Sequence, residues 1–124
     1  MPELETCCGG PRDWVSNSSE MCDYDAIHAS NVKILPAGFE DRLGSAFRAG
    51  NLLLSVTNFN ALIVLDRDTK KIVWYYYDPD YWGSYHSPQL TRKGEIVFFK
   101  NNAHALGTSE VDIIDPLSKK ITWR

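Results

Sequence analysis

The chain has 124 residues, 44% of them hydrophobic and 23% charged, which is the composition of one ordinary folded domain and not of a disordered or fibrous segment. A net charge of −3 leaves no basic surplus for a phosphate backbone, so nucleic acid is excluded as an expected partner. No apolar run approaches the roughly 18 residues of a membrane-spanning helix, so no membrane association is expected.

Residues 1–24 read as an N-terminal, irregular segment, and Met1 to Gly10 has neither the basic start nor the apolar core of a secretory signal peptide. Cys7, Cys8 and Cys22 all fall here, without the paired CxxC spacing of a structural zinc site. An oxidising compartment would pair Cys22 with Cys7 or Cys8 and leave one thiol over; a reducing one would leave all three free.

From there to the end the chain alternates short β-rich runs with turn residues, and no long stretch has the 3.6-residue apolar period of a helix. In a first unit, residues 25–78, strands are expected over 28–35, 51–57, 61–66 and 71–77. In a second, residues 79–124, they are expected over 86–90, 95–100, 110–115 and 120–124. The last two strands of each unit form a hairpin. Its turn is Arg67-Asp68-Thr69-Lys70 in the first unit and Asp115-Pro116-Leu117-Ser118 in the second, where Pro116 presets φ.

The two units repeat one another. Asp66 and Asp115, Lys71 and Lys120, and Trp74 and Trp123 are each 49 positions apart, close to the roughly 40–50 residues of a four-stranded propeller blade. Gly50-Asn51 followed by Leu52-Leu53-Leu54-Ser55 matches Gly94-Glu95 followed by Ile96-Val97-Phe98-Phe99, and His28 opens one unit as His86 opens the other. The expected fold is all-β: two four-stranded antiparallel blades of a β-propeller. Two blades cannot close a ring of about 4–8, so the missing partners are either further blades of the same protein or other copies in a homo-oligomer.

The units differ in two loops, an insertion at 37–47 in the first and an excess at 101–109 in the second, and such loops could shape a binding face. The aromatic cluster of Trp74, Tyr75, Tyr76, Tyr77, Tyr81, Trp82 and Tyr85 at the junction is read as packing between units, and Trp74 and Trp123 as structural. His104 is read as an ordinary loop histidine. His28 and His86, opening strands taken as equivalent, are placed near the central channel, where propeller ligands bind. There is no calcium loop and no phosphate-cradling glycine loop, so neither a metal nor a cofactor is expected.

Four stretches belong together: Asp23-Tyr24-Asp25-Ala26-Ile27-His28-Ala29-Ser30-Asn31, Gly50 through Ser55, Asp66 through Trp74, and His86-Ser87-Pro88-Gln89-Leu90 through Lys100-Asn101-Asn102 with Ser109-Glu110-Val111. On these, residues 23–124 resemble the arylsulfotransferase propellers. The resemblance implies sulfuryl transfer from a phenolic sulfate donor to a phenol acceptor, in two steps, through a histidine sulfated on a ring nitrogen. It places His86 as the nucleophile, with His28 and Asn31 as the stabilising pair, and it alone implies a periplasmic or secreted location. A neutral imidazole suits this role at physiological pH, and splitting the transfer avoids bringing both phenols together. The chain departs from the family at Val56-Thr57-Asn58, where an arginine is typical, and at Lys100, where an aspartate often stands. The alternative is a non-catalytic propeller module that binds small molecules or protein partners.

Overall fold

The computed structural model describes residues 28–78, 84–101 and 107–124. The N-terminal segment with its three cysteines, Tyr81, Trp82 and His104 lie outside the described residues. The chain is mostly β. A first antiparallel sheet runs in chain order through β1 (Ala29–Ile34), β2 (Leu52–Val56), β3 (Ala61–Leu65) and β4 (Ile72–Tyr77). A second runs through β5 (Ser84–Leu90), β6 (Ile96–Asn101), β7 (Glu110–Asp115) and β8 (Lys120–Trp123). Neither sheet closes on itself.

Side-chain alternation along the strands decides how the sheets meet. Leu53, Leu62, Val64 and Tyr76 share one face of the first sheet and pack, with Leu35, Leu43 and Phe47, against Tyr85, Ile96, Phe98 and Ile114 of the second. Burying one such side chain stabilises the fold by about 1.5–3 kcal/mol. The intervening positions Leu54, Val56, Ala61 and Ile63 form a second buried cluster on the opposite face of the first sheet. Both faces of β2 and β3 are therefore buried, which is why β3 reads as an unbroken apolar run and β2 as one interrupted by Ser55.

The expected insertion at 37–47 is not merely a surface loop. It contains α1 (Glu40–Leu43) and a 3₁₀ turn (Ser45–Phe47), separated by Gly44 at φ 90°. Leu43 and Phe47, four residues apart, both enter the core between the sheets. The Asn51 side-chain amide donates to the Ala46 carbonyl at 2.9 Å and ties the segment to β2.

Local irregularities recur in both units. Two residues of β1, Asn31 and Val32, oppose one of β2 in a bulge, and Ser87 and Pro88 of β5 do the same against β6. Asn31 and Ser87 both have φ 52°. A second bulge separates Val64 from Leu65 in the β3–β4 pairing and Ile113 from Ile114 in the β7–β8 pairing. The two hairpin turns also agree: Lys70 and Lys119 are left-handed, and their N–H groups donate to the carbonyls of Asp66 and Asp115 at 2.9 and 2.8 Å. Each aspartate also folds its carboxylate over the turn, accepting N–H bonds from Asp68 and Thr69, or from Leu117 and Ser118.

Across the seam, the Trp74 indole N–H donates to the Pro116 carbonyl at 2.9 Å, and Lys119 Nζ lies 4.3 Å from the centre of the Tyr75 ring. Tyr76 stacks on Tyr85 with ring centres 6.1 Å apart. Of the aromatic residues described at the junction, Trp74, Tyr75, Tyr76 and Tyr85 thus make contacts between the units, whereas Tyr77 is exposed.

Candidate functional site

The candidate site lies where the bulges of β1 and β5 meet. Bulges re-aim side chains at sheet edges, and here they bring together residues far apart in sequence. Ser30 pairs with Ser55 across β1–β2, and His86 pairs with Phe99 across β5–β6, immediately before the bulge in each case. By this register Ser30, not His28, is the counterpart of His86. The expected equivalence of the two histidines is therefore corrected by two residues. The 37–47 insertion changes the spacing to the next landmark, Gly50, so counting from that landmark could not align β1 with β5.

Equivalent residues of the two units touch. His86 Nδ1 lies 3.5 Å from Ser30 Oγ, and the Asn31 side-chain amide donates to Ser87 Oγ at 3.2 Å. Behind Ser30 stand two buried hydroxyls, Ser55 Oγ at 2.9 Å and Thr57 Oγ1 at 3.4 Å. The protons of these hydroxyls can be traced. Ser55 donates to the Ser30 carbonyl at 2.8 Å, and Thr57 to the Tyr85 carbonyl at 3.3 Å. Each then accepts where it meets Ser30, so the Ser30 hydroxyl proton points to one of them. The Ser30 oxygen is left to accept from His86. This arrangement fits a proton on His86 Nδ1.

The other expected residues are placed as follows. Asn31 is at the seam, one residue from Ser30. His28 precedes β1 with φ 45°, and its carbonyl accepts the Thr57 N–H at 3.1 Å, so its backbone fastens the same corner. The geometry brings Asn31 and His86 to one seam and leaves His28 two positions from the bulge. Ser30, Ser55, Thr57 and Ser87 are the site residues that sequence reasoning missed. A possible signal was the hydroxyl of Ser55 inside the apolar run of β2.

The groups that hydrogen-bond around His86 are neutral. Charge collects elsewhere. Lys100, 1% exposed, places Nζ 2.5 Å from the buried Asp112 carboxylate and 3.4 Å from Glu110, and Arg124 Nε reaches Asp112 at 3.1 Å. On the first unit, Arg48 bridges Asp66 and Asp68 at 2.8 and 2.7 Å. The Thr69 N–H, with the Asp68 N–H and the Arg48 guanidinium, holds the Asp66 carboxyl down to about 2. Burial pushes the Tyr76 phenol up. Among the described residues, no group of three or more His, Cys, Asp or Glu side chains gathers to hold a metal ion. No described helix is long and apolar enough to cross a membrane.

No protein-family model, curated protein or solved structure matches this chain.

Proposed function

We propose that the two sheets are neighbouring blades of a β-propeller of arylsulfotransferase type, and that the seam between β1 and β5 carries sulfuryl transfer between phenols. His86 is the nucleophile. The observation that supports this most is the hydroxyl chain through Ser55 and Ser30, which reaches His86 Nδ1 and fits a neutral ring with Nε2 as the attacking nitrogen. In the first half-reaction Nε2 attacks the sulfur of an aryl sulfate. The N–S bond forms, the S–O bond to the ring breaks, and the phenolate leaves. In the second, the acceptor phenol oxygen attacks the same sulfur, the N–S electron pair returns to Nε2, and the phenol proton passes to water. Asn31, one residue from Ser30, and His28 donate to the sulfuryl oxygens as charge develops. The blade reading draws on the side-by-side contact of equivalent residues, Ser30 with His86 and Asn31 with Ser87.

A second reading, a non-catalytic blade pair that binds small molecules or protein partners, is favoured by the neutral surroundings of His86 and by Val56-Thr57-Asn58 in place of an arginine. Incubation with para-nitrophenyl sulfate separates the two. Sulfuryl transfer requires a burst of nitrophenolate stoichiometric with the chain, sustained turnover once phenol is added, and no burst from His86→Ala with an unchanged circular dichroism spectrum. Saturable binding of the sulfate without a burst favours the second reading.

A further inference from the structure

The second sheet has one face in the core and one face open. The open face carries Val97, Phe99, Val111, Ile113 and Trp123, of which Phe99, Val111 and Trp123 are 38%, 40% and 58% exposed. Matching the two sheets by strand register makes these residues the counterparts of Leu53, Ser55, Leu62, Val64 and Trp74. That set is the face by which the first sheet covers the second. The same positions are therefore core in one unit and open in the next, with Trp123 standing where Trp74 donates to the Pro116 carbonyl.

We infer that the open face of the second sheet is the docking surface for a further four-stranded unit of the same repeat. The chemistry of that unit follows from the interface already present. It offers an apolar face at the positions of Ile96, Phe98 and Ile114, and a hairpin-turn carbonyl at the position of Pro116 to accept the Trp123 indole N–H. A head-to-tail second copy does not fit as folded, because the face it would present, Leu54, Val56, Ala61 and Ile63, is already buried. Docking also covers the open side of His86. His86 lies on the open side next to Phe99, with ring centres 6.5 Å apart, and the bulge of the incoming unit would stand beside it as His86 stands beside Ser30. The inference rests on the two sheets being successive units of one repeat and not on the chemistry of His86.

The test extends the full chain after Arg124 with a copy of residues 76–124, which continues the 49-residue period, and follows tryptophan indole N–H exchange by nuclear magnetic resonance. In the unextended chain, Trp123 exchanges faster than Trp74. In the extended chain, Trp123 slows to the rate of Trp74, and fast exchange passes to the new terminal tryptophan. Trp123→Ala in the extended chain speeds amide exchange in the appended strands. The inference is overturned by an appended unit that gives dispersed signals but leaves Trp123 exchanging as before, or by one that stays unfolded. It is also overturned if the unextended chain already protects Trp123 and doubles its 14.1 kDa mass in solution, since a second copy would then hold the face. The nitrophenyl sulfate burst depends on none of these readouts, so the two proposals fail separately.

Discussion

Ser30 and His86 hold the same position in successive sheets, and their side chains meet across the seam, Oγ to Nδ1 at 3.5 Å. The contact joins the fold to the proposed chemistry, since the repeat that places the two strands side by side also brings the Ser30 hydroxyl to the histidine ring. Ser30→Ala is expected to lower the rate of His86 sulfation about two- to tenfold, the equivalent of the ~0.5–1.5 kcal/mol of one hydrogen bond. His86→Ala should abolish sulfation. Pre-steady-state release of nitrophenolate measures both.

The two repeat tryptophans have the same turn context and opposite surroundings. Trp74→Ala removes a ring packed edge-on against Phe47 at 5.5 Å and the bond to Pro116, and is expected to destabilise the chain by about 2–4 kcal/mol. Trp123→Ala, at an exposed position, should stay within about 0.5 kcal/mol of wild type. Urea unfolding of the two variants tests the asymmetry.

Lys100, Asp112 and Glu110 are ionic where the first unit has Val56, Ile63 and Ala61 at the same register positions. Asp112→Ala leaves Lys100 buried with Glu110 as its remaining carboxylate, and should destabilise by about 3–5 kcal/mol. Installing the first unit's residues together, Lys100→Val with Asp112→Ile, should recover most of that loss, because apolar replacement of a buried ion pair is often neutral or better. Chemical denaturation of the single and double variants provides the comparison.

Asp66 is held at about 2 by the Thr69 and Asp68 N–H groups and Arg48, below its ordinary value near 3.8. A depressed folded-state pKa stabilises the fold above the unfolded value, and that stabilisation is lost as pH falls through the folded one. The melting temperature should therefore drop between about pH 4 and pH 2, and Asp66→Asn should flatten that part of the profile.

Strand order, the hairpins and the 49-residue repeat were legible because each rests on local chemistry: apolar runs, and an aspartate that folds over its own turn at 66 and at 115. The match of β1 with β5 was not legible, since the 37–47 insertion changes the spacing and the bulge shifts which residues share a face. Spacing alone therefore matches His28 with His86, whereas the strand register makes Ser30 the counterpart of His86. The role of 37–47 was hidden for a similar reason: Leu43 and Phe47 are too short a pattern to declare a buried helical turn, and only the gap between two sheets gives them somewhere to pack. The hydroxyl chain from Ser55 to His86 exists only once both sheets are in place.

The most direct test of the central claim is peptide mapping of the chain after brief exposure to para-nitrophenyl sulfate without acceptor. The account predicts a single added sulfuryl group on His86, lost when phenol is supplied and absent from His86→Ala. An unmodified His86 in folded protein that still binds the sulfate would contradict it and leave the seam a binding site without covalent chemistry.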